Sequence, residues 1–155
     1  MNNIAGAAIT FKKAAEPAFV DYAQATLRNA KALAAALLAE GVTLVTGGTD
    51  NHLLVIDAAT SFGLDGQAAE VALDAIGLAA NKQIIPDDAR PPLRPSGLRL
   101  GTPACTTRGM NEDDMARIAQ WIVRTLRRPE DASAIEATRA EVKAMCRAYP
   151  VPGIS

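Results

Sequence analysis

Apolar residues recur at helical spacing in five stretches of the chain. The intervals of three and four residues between them predict helices over 3–15, 17–40 and 67–76, another after Asn111, and a last one over about 132–147. Pro17 suits the first turn of the long second helix, and Gly41 is typical of a helix end. Asn111, followed by three acidic residues, predicts a capped helix start.

Shorter β-rich runs alternate with these helices. They predict strands over 42–45, 53–57, 80–85 and 97–101, with turns at 47–52 and at Asp65-Gly66 and a proline-rich loop over 87–96. The predicted fold is therefore α/β, of the α+β type. It has a small sheet of three or four strands covered by helices.

The strand over 97–101 carries one charged residue. Leu98 and Leu100 alternate with Arg99, so one face is apolar and the other presents a guanidinium. A guanidinium held by a strand suits bidentate capture of a carboxylate. The alternative reading of the same pattern is a surface arginine on a half-exposed strand.

Composition excludes several functional classes. The chain has 155 residues, of which 49% are hydrophobic and 21% charged, and its formal net charge is −1. This balance predicts one globular unit and gives no electrostatic reason to expect binding to nucleic acid or to an anionic membrane. No transmembrane run, signal peptide or metal-ligand spacing is evident, and Cys105 and Cys146 are expected to be reduced thiols. We therefore expect a cytoplasmic protein without a metal.

Four short motifs occur in a distinctive order. They are GGTDNH at 47–52, NKQIIP at 81–86, SGLRLGTPA at 96–104 and TRG at 107–109. In this order and spacing the chain closely resembles serine hydroxymethyltransferase, a pyridoxal-phosphate enzyme that moves a one-carbon unit between serine and tetrahydrofolate. The resemblance runs from about residue 4 to 150 and covers only the C-terminal third of that family's chain.

The resemblance implies a fold and a set of site residues. It implies the small C-terminal domain of a fold-type I pyridoxal-phosphate enzyme over 41–155, preceded over 1–40 by a long interdomain helical segment. Arg99 matches the arginine that holds the amino-acid carboxylate, and Asn81 and Gln83 match a loop near the folate. Gln83 stands where asparagine is usual, Pro95 where threonine is common and Met110 where phenylalanine is common.

The rest of the family's cofactor site has no counterpart in these motifs. None of the five lysines follows the threonine-rich stretch that carries the family's Schiff-base lysine, and no glycine-rich phosphate loop opens a helix. Pyridoxal phosphate is therefore expected in the parent enzyme and not on this chain alone. The single histidine, His52, invites an acid–base role, but its place at a turn favours a structural one.

Three functions remain open at this point. The chain is an inactive piece of a serine hydroxymethyltransferase, a regulatory or decoy subunit that pairs with a full-length enzyme, or a small amino-acid-binding module that uses Arg99. The first two imply a large pyridoxal-phosphate-binding domain or a full-length enzyme as partner. Apolar residues on more than one face of the helix over 17–40, among them Phe19 and Leu38, also predict a homo-oligomer.

Overall fold

The computed structural model describes residues 1–153, which form seven helices and three strands. Two short helices, α3 (Ala58–Phe62) and α5 (Pro103–Thr107), were not predicted, because five residues are too few to show a helical period. No helix in this part of the chain is long and apolar enough to cross a membrane. In chain order the elements are α1 (Asn2–Ala14), α2 (Pro17–Ala39), β1 (Leu53–Asp57), α3 (Ala58–Phe62), α4 (Gly66–Ala75), β2 (Asn81–Gln83), β3 (Gly97–Gly101), α5 (Pro103–Thr107), α6 (Glu112–Arg127) and α7 (Ala132–Ala148).

The three strands form an antiparallel sheet in the order β1–β3–β2. This confirms the predicted small sheet covered by helices. The predicted strand over 42–45 is wrong in extent, since Leu44 makes only an isolated bridge with Ile56. The pairing stops there because the chain turns away immediately after Val45, whose amide donates to the Val55 carbonyl.

The inner face of the sheet builds the core. Leu54 and Ile56 of β1 and Leu98 and Leu100 of β3 are buried there. Helix α6 packs beside them, and its buried stripe includes Met115, Ile118, Trp121, Ile122 and Leu126. Helix α2 packs along α6 through Ala30, Leu33, Ala34 and Leu37, which share one helical face. Helices thus cover one side of the sheet and leave the other side open.

Side-chain caps fix where the helices begin. The predicted Asn111 cap is confirmed, because its side chain accepts from the amides of Asp113 and Asp114, and the Asp114 carboxylate accepts from the Asn111 amide. The predicted turn at Asp65-Gly66 is wrong. Asp65 instead accepts from the Ala68 amide at 2.8 Å and starts α4. The same residue types favour turns and helix caps, which explains the error.

Helix α1 lies apart from the core. It has the predicted helical spacing of apolar residues, but none of its residues is buried. Ile4 and Phe11 are 71% and 74% exposed, respectively. The periodicity of α1 therefore predicted a helix correctly and does not correspond to burial within residues 1–153.

We predict that Gly66→Ala destabilises the fold. The Gly66 amide donates to the Pro95 carbonyl, and an added Cβ would overlap the Gly97 carbonyl oxygen. Backbone must move to relieve this overlap, so we expect a loss of roughly 1–3 kcal/mol or more in the free energy of unfolding. Denaturant unfolding measures it. Gly48→Ala is the matched control, because a Cβ there meets nothing within 4 Å, and equal stability losses in the two variants would contradict the prediction.

Candidate functional site

Strand β3 places Arg99 on the open face of the sheet. Leu98 and Leu100 point into the core, so Gly97, Arg99 and Gly101 face the other way. The Arg99 side chain is exposed, and it has no hydrogen-bond or ion-pair partner among residues 1–153. The Arg99 guanidinium therefore lies on the central strand without a partner in the described part of the chain, and it can bind an anion.

The neighbouring strands bring the other predicted site residues to the same face. Val55 of β1 and Asn81 of β2 lie directly opposite Arg99, one on each side. Gln83 lies opposite Gly97 on that face, and its Nε2 donates to the Ile84 carbonyl at 3.3 Å. Directly opposed residues have Cβ atoms about 5 Å apart, so Arg99 and Asn81 are side-chain neighbours. Asn81 and Gln83 belong to a short strand, and the loop begins after them.

Gly97 and Gly101 lie two residues before and after Arg99, on the same face of β3, so β3 places no other side chain beside the guanidinium. A Cβ added to Gly97 would lie 2.5 Å from both the Gln83 carbonyl oxygen and Ile85 Cγ2. A Cβ at Gly101 would lie 3.0 Å from Leu53 Cδ2. The neighbouring strands therefore close over both glycines, and the guanidinium is the one charged group that β3 presents on this face.

Asp88 anchors the proline-rich loop to the start of β3. Its carboxylate accepts from the Ser96 amide at 2.9 Å and from the Ser96 hydroxyl at 2.7 Å. The amides of Arg90 and Ile85 also donate to it, at 3.0 and 3.4 Å. These bonds, the Ser96 amide first, lower the pKa of Asp88 to about 2. Sequence reasoning missed Asp88, although a carboxylate inside a proline-rich loop was a usable sign of a loop anchor.

The other end of β3 is tied to α2. The Thr102 amide donates to the His52 carbonyl at 3.1 Å, and the Thr102 hydroxyl donates to the Thr26 carbonyl at 3.0 Å. Asn29, only 1% exposed, donates from Nδ2 to the Met110 carbonyl and to the Thr106 hydroxyl, both at 2.9 Å. Sequence reasoning missed Asn29, whose polar side chain on the buried stripe of α2 was the available signal.

His52 contributes to the site through its backbone. Its side chain is exposed, and no acid or hydroxyl lies within hydrogen-bonding distance of it in the described part of the chain. An acid–base role would need such a partner or a positioned substrate. The arrangement favours the turn role over the catalytic one.

Comparison with known proteins shows the family of this chain. The family model described as serine hydroxymethyltransferase matches residues 1–122. The chain belongs to the serine hydroxymethyltransferase family. Serine hydroxymethyltransferases from Rhodopirellula baltica and Xylella fastidiosa are each 48% identical to it, and the one from Acidobacterium capsulatum is 47% identical. The alignments cover 97–98% of this chain but only 35–36% of each relative. The chain thus spans about a third of the length of these serine hydroxymethyltransferases.

The lysines of this chain lie on its surface. Lysine must attack the cofactor as a neutral amine, which desolvation favours. All five lysines are exposed: Lys12, Lys13, Lys31, Lys82 and Lys143. No lysine of this chain is therefore buried in the desolvated surroundings that favour such an attack. Among residues 1–153 there is also no cluster of three or more potential metal ligands.

We predict that Asp88→Asn destabilises the protein in a pH-dependent way. The folded-state pKa of Asp88, about 2, lies below the ordinary aspartate value of 3.8, so this stabilisation is complete above pH 3.8 and is lost as the pH falls through about 2. The variant should therefore melt below the wild type at neutral pH, and the difference should shrink towards about pH 2. Thermal unfolding followed across this range measures it.

The neighbouring acid provides the control for that experiment. Asp87 is exposed with φ 54°, a conformation that asparagine also tolerates. Asp87→Asn should therefore leave the melting temperature nearly unchanged at every pH. A constant difference between Asp88→Asn and the wild type from neutral to acid pH would overturn the proposed role of the ionised carboxylate.

Proposed function

We propose that this chain is the small C-terminal domain of a serine hydroxymethyltransferase and supplies the arginine that binds the substrate carboxylate. The observation that carries the proposal is the exposed Arg99, centred on the open sheet face without a partner among the described residues. Family membership and the match of Ser96–Ala104 to the family motif support it. The whole enzyme interconverts serine and glycine with tetrahydrofolate.

The fixed backbone of β3 suits this role. The planar fork of Arg99 can donate two parallel hydrogen bonds to a carboxylate, and its charge persists at any physiological pH. Because β3 pairs with a strand on each side, the Cα of Arg99 cannot shift without breaking backbone hydrogen bonds to both neighbouring strands. The amino acid can then be oriented by Arg99 without a further entropic cost for ordering the protein.

Asn81 and Gln83 are proposed to line the folate side of the same site. Both amides lie on the face of Arg99 and can donate and accept hydrogen bonds, as a pterin ring requires. Gln83 has one more methylene than the asparagine usual in the family. Its amide therefore reaches further from the strand, and the folate position should differ accordingly.

The cofactor is proposed to come from outside this chain. When bound, pyridoxal phosphate withdraws electrons from the amino acid. The exposed lysines described above do not supply its attachment, so the chain alone should be inactive. A large pyridoxal-phosphate-binding domain, or a full-length enzyme, is the proposed partner.

A second role, as a subunit that pairs with a full-length enzyme, is favoured by exposed apolar residues on α1 and α2. Contiguous apolar surface beyond a few hundred Å² is uncommon on monomers. A homo-oligomer would cover the same surface. The exposed residues are Ile4, Ile9, Phe11, Phe19, Val20, Leu27 and Leu38.

We predict that Arg99 controls activity when the missing part is supplied. The test protein is the Rhodopirellula baltica enzyme with its matching segment, 36% of its length, replaced by this chain. Arg99→Lys keeps the charge and loses the fork, so kcat/KM for serine cleavage should fall about ten- to a hundredfold. Arg99→Ala should cost more, because it leaves the carboxylate without a charged partner.

Two control variants separate geometry from general damage. Arg90 is an exposed arginine in the nearby loop, and Arg90→Ala should leave kcat/KM nearly unchanged. His52→Ala should have little effect beyond stability. Tolerance of Arg99→Ala together with loss of activity in His52→Ala would show that the histidine, and not the arginine, is the essential group.

We predict that the chain associates through α1 and α2. Sedimentation velocity at increasing concentration should show dimers or larger species, and Phe11→Ser, which removes apolar surface that is 74% exposed, should weaken association. Val71→Ser on α4 is the matched control, since Val71 is 63% exposed on a different helix. A monomer at every concentration, or equal effects of the two variants, would contradict the prediction.

A further inference from the structure

A cavity of about 230 Å³ lies behind the Arg99 strand. The inner-face residue Leu100 forms part of its wall, so it opens on the side of β3 opposite the guanidinium. The remaining walls come from Leu33 of α2, from α5 and the residues after it, from α6 and α7, and from the segment after α4. The cavity is therefore separate from the carboxylate site proposed above, and nothing in that proposal uses it.

The lining is mostly apolar, and five of its side chains carry sulfur. Three thioethers and two thiols face the cavity, with Trp121 and aliphatic side chains around them. Methionine is flexible and polarisable, so it adapts to ligands of different shape and packs well on aromatic rings. Burial raises the pKa of the Cys105 thiol, which keeps it neutral. The sulfur-bearing residues are Met110, Met115, Met145, Cys105 and Cys146.

The polar groups at the cavity already have protein partners. Arg108 is its single charged lining residue among those described, and it donates from Nε to the Tyr149 carbonyl at 2.7 Å and from Nη2 to the Cys146 carbonyl at 3.0 Å. Trp121 donates from its indole nitrogen to Glu141 at 2.6 Å. These donors already bond to acceptors of α7 and of Tyr149, which follows it. A ligand in the cavity therefore does not have to accept hydrogen bonds from them.

Size sets the class of ligand. An apolar cavity of about 150 Å³ stays dry and binds benzene, so a larger one has room for a second ring or a short chain. We propose that this cavity binds a small uncharged aromatic or aliphatic molecule of about six to ten non-hydrogen atoms. Such a ligand would pack against Leu100 and so against the back of the strand that carries Arg99.

Methionine methyl groups report binding directly. The chain has four methionines, of which three line the cavity and Met1 is fully exposed at the N-terminus. Indole titrated into ¹³C-methyl-methionine-labelled protein under reducing conditions should shift the signals of Met110, Met115 and Met145 in a saturable way. The Met1 signal should stay fixed. The melting temperature should rise with indole concentration, as expected of a ligand that binds the folded state.

Variants at one wall position test the location. Cys105→Leu adds volume into the cavity and should weaken indole binding by about tenfold or more. Indole could then enter only if the surrounding side chains or the backbone shifted, which costs free energy. Cys105→Ala enlarges the cavity and should bind indole at least as well as the wild type. Cys146→Leu replaces the first variant if that one fails to fold.

Several results would overturn the proposal. These are methyl shifts that do not saturate, shifts at Met1 comparable to those of the lining methionines, or equal indole affinity in the filled and enlarged variants. Because the assay needs neither cofactor nor substrate, its outcome does not depend on the role of Arg99. Failure here leaves the proposed enzyme function untouched, and the reverse also holds.

Discussion

The register of β3 between its two neighbours determines which side of the molecule is core and which carries the guanidinium. Arg99 pairs with Val55 on one side and Asn81 on the other. A shift of one residue would send Arg99 inward and expose Leu98 and Leu100. Burying an unpaired guanidinium costs several kcal/mol, so the hydrophobic pattern leaves one acceptable register. The site and the core are thus two consequences of one pairing.

Both ends of β3 are held by hydrogen bonds that lie outside the sheet. At its start, Asp88 gathers four donors from the loop, two of them from Ser96. At its end, Thr102 bonds to the backbone of Thr26 on α2 and of His52 before β1. The proline-rich loop and the long helix therefore matter to the site because they hold the two ends of β3.

The sequence allowed the fold class, the long helices and the strand of Arg99 to be predicted, because each has a clear period or a capping residue. The five-residue helices were harder, as α3 illustrates, and so was the extent of pairing at Leu44. Alternation indicated the exposed face of Arg99, whereas the neighbouring position of Asn81 depends on strand order, which local patterns do not encode. The roles of Asp88 and Asn29 depend on tertiary contacts and became visible only in the structure.

Exposure of Arg99 is consistent with the proposal that its side chain matters in a complete enzyme and does little in this chain alone. A solvent-exposed ion pair contributes about 0–1 kcal/mol, because water and salt screen the charges. When a second surface excludes water, truncating one partner of a charged pair costs about 2–5 kcal/mol. The open sheet face supplies the fork and its fixed direction, but no second wall from residues 1–153 covers it. The proposed carboxylate site is therefore half of a site, and its affinity is expected to depend on the surface that closes over β3.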